Sequence, residues 1–262
     1  MLESMSQKYQ ITKYTNGRFL NVEDVIVNEF PLTVFVNNVE FATMVVTPTH
    51  FEEMVIGFLA SEGVIRTNSD ILSFEIDVGR GYAYVSLKVN STTNQQYYSK
   101  RFIGSCCGKS RQFYFHNDAR TARTSMSKTK ISAAQSIYLM NEMQNSSEVF
   151  QETGGVHNAA LCTPDEILAV RTDIGRHNAL DKLFGYSILN SVSVRDKIIV
   201  FSGRISSEVL LKAAKIGVGI VLSKSAPTDL AIKLAQDLNI TAVGFIRGES
   251  FNVYSCPERI ID

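Results

Sequence analysis

Cys107 is the residue of this sequence whose setting best suits covalent chemistry. It lies in a glycine-flanked segment, residues 104–109 (GSCCGK), with Lys100 and Arg101 before it and Arg111 after it. Nearby positive charge favours the thiolate form of a cysteine, and a loop leaves the sulfur accessible. Such a thiolate can act as a nucleophile or carry a persulfide sulfur. From composition alone, an accidental cysteine pair in a loop is an equally good explanation.

The other cysteines do not extend this segment into a metal or disulfide site. Cys106 is adjacent to Cys107, and neighbouring cysteines form a disulfide only with strained geometry. Cys162 follows the apolar residues 159–161, which predicts a buried structural thiol, and Cys256 has no basic neighbours. The spacing fits no common zinc pattern, so we expect no structural metal.

A second candidate site comes from four short segments that follow predicted strands, at 173–177, 202–204, 223–228 and 247–249. In a parallel sheet these segments meet at the carboxyl edge of the strands, where α/β proteins bind ligands. Helix N-termini and arginines there favour phosphate, so we expect a nucleotide-bearing ligand. For any single segment, ordinary helix capping is the alternative. The side chains of interest are Arg176, His177, Arg204, Thr228 and Arg247.

The elements that would position these segments follow from the hydrophobic pattern. Strands that alternate with helices of about ten to twelve residues are typical of βαβ units and a parallel sheet. In the second half of the chain we expect strands over 166–171, 197–201, 219–222 and 240–245, and helices over 132–143, 178–189, 206–215 and 229–238.

The first half of the chain predicts a smaller α+β domain. Strand alternation over 22–46 includes a tight turn at 36–39, a helix opens at 47–49 and ends at Gly63, and alternation returns over 71–89. The predicted division is an N-terminal tail over 1–20, the α+β domain over 21–103, a reactive-cysteine loop and linker over 104–130, and a C-terminal domain over 131–262.

Charge and hydropathy exclude several classes of partner. The 26 basic residues balance 26 acidic residues, so no overall field favours nucleic acid or an anionic membrane. No apolar run approaches the roughly 18 to 20 residues of a membrane helix, and the N-terminus lacks the apolar core of a signal peptide. We therefore expect a cytoplasmic protein.

Seven runs of the sequence resemble the FdhD/NarQ family of formate dehydrogenase accessory sulfurtransferases. The resemblance covers nearly the whole chain after residue 20, and GRHNALDK and SAPT are its most specific parts. The runs are FPLTVFVN (30–37), GFLASEGVI (57–65), ETGGVHNAAL (152–161), TDIGRHNALDKLFG (172–185), FSGRISSEVLLKAA (201–214), SKSAPTDLAIKLA (223–235) and VGFIRGESFNVYS (243–255).

The resemblance implies a C-terminal cytidine-deaminase-like α/β/α domain with a mostly parallel sheet. It also implies a function, in which sulfur from a cysteine desulfurase is held as a persulfide on Cys107 and passed to the bis-molybdopterin guanine dinucleotide form of the molybdenum cofactor. That cofactor then activates formate dehydrogenase. A homodimer is implied as well. The corresponding cofactor-binding run is Phe245, Ile246, Arg247, Gly248, Glu249 and Ser250.

One departure from the family pattern concerns the reactive loop. The family pattern is Cys-x-x-Cys-Gly, and its first cysteine falls at Gly104 here, with Cys106 present instead. A relay between two cysteines is therefore not expected, whereas a single persulfide on Cys107 is.

Three other activities compete with sulfur transfer. A cofactor-binding chaperone without thiol chemistry would not need the Cys107 thiol. A nucleotide hydrolase would need a Walker loop, and although Gly108-Lys109-Ser110 matches the end of such a loop, its first glycine would fall at Ile103. A zinc deaminase is disfavoured because neither His157 nor His177 is followed by Pro-Cys-x-x-Cys.

Overall fold

The computed structural model describes residues 4–88, 102–103, 122 and 124–262, and the two larger sheets in that part of the chain have five and six strands. The protein is a mixed α/β protein. The described segments contain no helix that is both long and apolar enough to span a membrane.

The chain begins with an extended hairpin made of β1 (Ser6–Thr15) and β2 (Arg18–Val27). All ten residues of each strand are paired. The turn is Asn16-Gly17, where both residues have positive φ (49° and 79°), as a two-residue hairpin turn requires. The prediction of a tail over 1–20 is therefore wrong. Its two strands are mostly exposed, so they lack the strong apolar alternation of a buried strand.

The N-terminal sheet has the order β5-β6-β3-β4-β7. Helix α1 (Phe51–Ser61) covers it and buries Met54, Val55 and Leu59 against strand residues such as Leu32 and Val34. The predicted turn is confirmed, because Asn37 and Asn38 both have positive φ. The strands are β3 (Phe30–Val36), β4 (Val39–Val46), β5 (Ile71–Asp77), β6 (Tyr82–Leu87) and β7 (Phe102–Ile103).

The C-terminal sheet has six strands in the order β10-β9-β11-β12-β13-β14. Its strands are β9 (His157–Cys162), β10 (Ile167–Asp173), β11 (Ile198–Phe201), β12 (Ile220–Ser223), β13 (Thr241–Arg247) and β14 (Ser250–Ser255). The helices are α2 (Ala133–Asn145), α3 (Glu148–Thr153), α4 (Arg176–Leu189), α5 (Ser207–Ile216) and α6 (Asp229–Asp237). A short parallel pair joins β8 (Ile131–Ser132) to β15 (Ile260–Ile261).

Helices cover both faces of this sheet. Residues of α4, α5 and α6, including Leu180 and Leu210, bury one face together with Leu161 and Val221. On the other face, α2 residues including Leu139 pack with Val200 and other strand residues. The C-terminal domain therefore has three layers, with the sheet in the middle.

The expectation of a mostly parallel sheet is wrong. Only β11-β12 and β12-β13 are parallel, whereas β10-β9, β9-β11 and β13-β14 are antiparallel. The difference arises because β9 was not predicted as a strand and because β13 turns back into β14 without an intervening helix. Residues 247–249 accordingly form the end of β13 and a hairpin turn, and not a strand-to-helix loop.

The four predicted strand ends nevertheless lie at one edge of the sheet. Strand β10 is antiparallel to β9, which is antiparallel to β11, so β10 runs in the same direction as β11, β12 and β13. The carboxyl ends of these four strands therefore meet at one edge, which we call the carboxyl edge. The amino end of β9, at His157, lies at the same edge because His157 pairs with Asp173.

Candidate functional site

The turns at the carboxyl edge are held together by serine side chains. Ser202 exchanges two hydrogen bonds with Asn158, since its N–H donates to the Asn158 carbonyl (3.0 Å) and its Oγ accepts from the Asn158 N–H (2.9 Å). Ser225 Oγ donates to the Ser202 carbonyl (3.1 Å), and Ser223 Oγ donates to the Gly203 carbonyl (2.7 Å). These contacts join the ends of β9, β11 and β12 into one framework.

Gly203 allows the turn after β11 to lie close to the side chains beside it. A Cβ at this position would lie 2.9 Å from Cζ of Phe201 and 3.3 Å from Nδ1 of His157. The first distance is shorter than van der Waals contact, so any other residue would displace the Phe201 ring. The glycine of the Ser-Gly-Arg run therefore has a steric role in placing His157 at the edge.

The end of β13 presents the run that the family resemblance assigns to the cofactor. Phe245 has φ of +55° and is 39% exposed, and its N–H donates to the Ser225 carbonyl (3.3 Å). The guanidinium of Arg247 lies 5.5 Å from the centre of the Phe245 ring, and its Nε donates to the Lys224 carbonyl (3.4 Å). An aromatic ring and an arginine thus stand together at the solvent side of the edge, and Gly248, also with positive φ, makes the turn.

Lys224 reaches back from the edge toward α2. Its Nζ donates to Oε1 of Gln144 at 2.5 Å, on the face of the sheet that α2 covers. At the amino end of β9, Asn158 Oδ1 accepts from Thr172 Oγ1 (2.8 Å). The Asn158 side chain is 1% exposed, and within the described residues its Nδ2 donates to no acceptor. A buried donor of this kind is uncommon and marks a place where a further acceptor would be stabilised.

A group of basic side chains lies at the other end of the carboxyl edge. His157 is close to Arg176 and His177 at the start of α4, and burial, followed by the charges of those two residues, lowers the pKa of His157 from its usual 6.5. His177 Nε2 lies 3.3 Å from Oε2 of Glu208 in the first turn of α5. Strands β11 and β12 lie between this group and β13, so the strand axes of β9 and β13 are about 14 Å apart at ordinary strand spacing.

Helix caps lie within one of the predicted segments and just after another. Thr228 Oγ1 accepts from the N–H of Ala231 (3.4 Å) at the start of α6, and Ser206 Oγ accepts from the N–H of Val209 (3.3 Å) at the start of α5. The capping alternative therefore accounts for Thr228. Arg204 is exposed in the turn between β11 and α5.

The reactive-cysteine prediction lies outside the described residues. This applies to Gly104, Cys106, Cys107 and the basic residues around them. The nearest described residues are those of β7, which ends at Ile103 and pairs with Thr43 and Met44 of β4. Cys162 is fully buried as predicted, and burial raises the pKa of its thiol to about 12.

A buried ion pair behind the carboxyl edge was not predicted from the sequence. Lys182 Nζ lies 2.7 Å from Asp173 Oδ2, with both side chains fully buried. Thr47 donates to the same oxygen from its N–H (3.0 Å) and its Oγ1 (2.9 Å). Asp173 Oδ1 accepts from the N–H of Gly175 (2.8 Å) and from Nδ2 of Asn178 (2.9 Å). Asp173 thereby joins the start of α4 to the end of β4. Burial lowers the pKa of its partner Lys182.

The same helix makes a close backbone contact between the two domains. A Cβ at Gly57 of α1 would lie 1.7 Å from the Asp181 carbonyl oxygen, and a Cβ at Gly185 of α4 would lie 1.9 Å from the Glu53 carbonyl oxygen. The two helices therefore touch backbone to backbone. Beside this crossing, Asp181 Oδ1 accepts from Lys212 Nζ (2.5 Å) and from Ser61 Oγ (2.6 Å), all three residues being buried. In the sequence, polar residues spaced three and four positions apart within an otherwise apolar helix were the signal that could have indicated these buried contacts.

Comparison with known sequences identifies close relatives. The sequence model of the FdhD/NarQ family matches residues 27–261. The chain is 60% identical over 260 residues to sulfur carrier protein FdhD of Bacillus subtilis (strain 168), covering 99% of each protein. It is 56% identical over 262 residues to the protein of the same name from Staphylococcus aureus (strain MRSA252), covering 100% of this chain and 99% of the relative.

Comparison with solved structures identifies the same fold in a more distant protein. A crystal structure of a protein from Desulfotalea psychrophila, provisionally named a formate dehydrogenase accessory protein, superposes with a TM-score of 0.82 at 24% sequence identity. The match covers 98% of this chain and 100% of that one.

Proposed function

Because this chain belongs to the FdhD/NarQ family, we propose that it is a sulfur carrier that serves a formate dehydrogenase in the cytoplasm. The names of its relatives support the sulfur-carrier role. In finer detail, Cys107 accepts sulfur from a cysteine desulfurase, and the carboxyl edge binds the molybdenum cofactor, in its bis-molybdopterin guanine dinucleotide form, as the substrate that receives this sulfur.

The first step is a thiol exchange at Cys107. The Cys107 thiolate attacks the terminal sulfur of the desulfurase persulfide, the sulfur–sulfur bond of that persulfide breaks, and the desulfurase cysteine leaves as a thiolate. The four basic residues near Cys107 in the sequence favour its thiolate form. No external oxidant or reductant is needed, because one persulfide is exchanged for another.

Mass spectrometry after incubation with a cysteine desulfurase and cysteine tests this step. We expect a reductant-sensitive gain of one sulfur atom, about 32 Da, on Cys107. Cys107→Ser should remove the gain and leave formate dehydrogenase inactive, while Cys162→Ser is the control, since that thiol is buried. Full activation of formate dehydrogenase by Cys107→Ser would favour the alternative, a cofactor-binding chaperone without thiol chemistry.

The acidity of Cys107 can be measured separately. The rate of alkylation of Cys107, followed against pH, should have its midpoint below the unperturbed thiol value of about 8.5. A midpoint at or above that value would contradict thiolate activation by the neighbouring basic residues.

The observation that carries the ligand part of the proposal is the placement of Arg247 over Phe245 at the end of β13. A guanidinium there can bind phosphate, while the exposed Phe245 ring offers a surface on which a base can stack. Asn158 Nδ2 and the N-termini of α4 and α5 add donors along the same edge. This set of donors fits a ligand with phosphate groups, such as a guanine nucleotide.

Calorimetric titration with guanosine diphosphate tests the ligand part. Within the described residues Arg247 contacts Lys224 and Phe245 and makes no ion pair with Glu249, so its charge is available to a ligand. Arg247→Ala should weaken binding about tenfold or more, because one charged hydrogen bond contributes roughly 1.5–3 kcal/mol. Arg80→Ala, an exposed arginine in the N-terminal domain, is the control. Equal affinity of both variants and the unaltered protein for guanosine diphosphate would contradict binding of the cofactor at this edge.

A further inference from the structure

The five-stranded N-terminal sheet has a face that is separate from its buried core. Residues such as Val34 and Val85 pack with α1 in the core, and successive residues of a strand alternate between the two faces. Phe35, Tyr82 and Tyr84 therefore point to the opposite face, where all three side chains are half-buried. We call this surface, on the side of the sheet away from α1, the aromatic face.

The three rings of the aromatic face form one cluster. Phe35 stacks on Tyr84, with ring centres 5.1 Å apart and planes at 20°, and Phe35 and Tyr82 make a T-shaped pair at 5.4 Å and 72°. The strand register causes this arrangement, because Phe35 pairs directly with Tyr84 and Thr33 pairs with Tyr82. The faces of aromatic rings carry partial negative charge, so such a cluster attracts a cation.

A carboxylate lies beside these rings. Glu75 of β5 pairs directly with Tyr84, so its side chain is on the same face, with the two Cβ atoms about 5 Å apart. Glu75 is exposed, and no described residue gives it a hydrogen bond or an ion pair. Asp77, which pairs with Tyr82, has a partner in Arg80, whose Nε lies 3.6 Å from its Oδ2. Glu75 is therefore the carboxylate of the aromatic face that is available to a ligand.

Rings and carboxylate together fit a guanidinium group. Cross-strand aromatic pairs also stabilise a sheet without any ligand, but such packing does not require an unpaired carboxylate beside them. A guanidinium can lie against the rings of Phe35 and Tyr84 while its N–H groups donate to Glu75. An ammonium group cannot stack in this way, so the aromatic face favours arginine over lysine.

The place of the aromatic face in the fold indicates which partner supplies the arginine. Strand β7, which pairs with β4 of the same sheet, ends at Ile103, and Cys107 is four residues later in the sequence. The carboxyl edge with Arg247 belongs to the other large sheet. A protein bound at the aromatic face is therefore on the domain of the last described strand before Cys107, and it leaves the carboxyl edge free for the ligand.

We propose that the aromatic face is the docking surface for the sulfur donor, a cysteine desulfurase, and binds an exposed arginine of that protein against Phe35, Tyr84 and Glu75. The identity of the donor rests on the proposed function, whereas the preference for a guanidinium rests on the surface itself. Complementary charge also speeds the encounter of two proteins and selects against wrong partners.

Binding of a cysteine desulfurase to the full chain with Cys107→Ser tests the surface without any sulfur transfer. Adding Glu75→Lys replaces attraction by repulsion, and it should raise the dissociation constant at least tenfold. Glu52→Lys makes the same charge change at an exposed position of α1, on the other side of the same sheet, and should leave the dissociation constant unchanged. Tyr84→Leu removes a ring and should raise the dissociation constant about threefold, whereas Tyr84→Phe keeps the ring and should not.

Sulfur loading of Cys107 from two donors distinguishes docking from damage to the domain. Glu75→Lys should take up sulfur from the desulfurase at least tenfold more slowly than the unaltered protein. Glutathione persulfide is a small donor that needs no docking surface, so both proteins should take up its sulfur at the same rate. In that reaction the Cys107 thiolate attacks the terminal sulfur and glutathione leaves as a thiolate.

Three results would each overturn the proposal. They are the absence of desulfurase binding to the Cys107→Ser protein, equal dissociation constants for Glu75→Lys and Glu52→Lys, and equally slow loading of Glu75→Lys from both donors. Failure of the unaltered protein to take up sulfur from either donor would instead contradict the proposed function, and the comparison of dissociation constants would still decide the docking surface.

Discussion

Replacing Lys182 by methionine tests whether the buried ion pair behind the carboxyl edge holds the two domains together. Methionine keeps most of the side-chain volume but removes the charge, so Asp173 stays buried with hydrogen bonds alone. Breaking a buried pair by removing one partner usually costs about 3–5 kcal/mol, since it leaves an uncompensated charge. We expect a loss of that size in the free energy of unfolding. The three groups that still donate to Asp173 are Thr47, Gly175 and Asn178.

The Lys8–Glu23 pair is a matched control for this experiment. Its nitrogen and oxygen are also 2.7 Å apart, but its side chains are 68% and 49% exposed, compared with 0% for both Lys182 and Asp173. Water and salt screen an exposed pair, so Lys8→Met should leave the stability unchanged. The two ion pairs therefore have the same nitrogen–oxygen distance and differ in burial and in the further hydrogen bonds that Lys182 donates to Thr47 and Thr172.

Urea unfolding at pH 7 is the assay, with the midpoint compared at constant slope. In the double variant Asp173→Asn/Lys182→Met the total loss should be smaller than the sum of the single losses by about 1 kcal/mol or more. The reason is that each single change leaves the other charge buried without its partner. Equal shifts for Lys182→Met and Lys8→Met, or strictly additive losses, would refute the reasoning.

Three further predictions concern other parts of the molecule. Gly57→Ala should lower the free energy of unfolding by about 3 kcal/mol or more, measured by thermal or urea unfolding, since its Cβ would lie 1.7 Å from a backbone oxygen of α4. Gly79→Ala is the control and should be neutral, because the nearest atom to its Cβ would be 3.4 Å away. Burial, followed by nearby positive charge, lowers the pKa of His157 in the folded protein. The unfolded state therefore binds the proton first, and the free energy of unfolding falls as the pH drops below 6.5. His157→Gln should reduce the difference between the urea midpoints at pH 7.5 and 5.5. Cys162, whose thiol pKa is raised to about 12, should resist alkylation at pH 8 until the protein is unfolded, and rapid native labelling would contradict its burial.

The alternation of strands and helices in the second half of the chain could be predicted because it is a local property. Apolar runs and helical spacing are written within ten or so consecutive residues, and α4, α5 and α6 lie close to their expected positions. The meeting of four strand ends at one edge followed correctly from that alternation. The strand directions did not, because β9 was missed and its antiparallel pairing depends on contacts with β10 and β11.

The hairpin formed by β1 and β2 shows a different limit of local reasoning. Its Asn16-Gly17 turn is a recognisable signal, but the strands beside it bury little surface and so lack the pattern of a core strand. Which side chains share a face becomes apparent only when the pairing register is known. A shift of one residue would exchange the two faces.

The sequence by itself determined the family, the α/β alternation, the buried Cys162 and the candidate residues Cys107 and Arg247. Only the tertiary structure decided that the family-specific run containing Asn178 and Lys182 forms a buried junction between domains. Buried polar partners are chosen by three-dimensional packing, since an ion pair without water must find its hydrogen bonds wherever the fold brings them. For Lys182 those partners are Thr47, just after β4, and Thr172 and Asp173 of β10, and no local pattern in the chain links them.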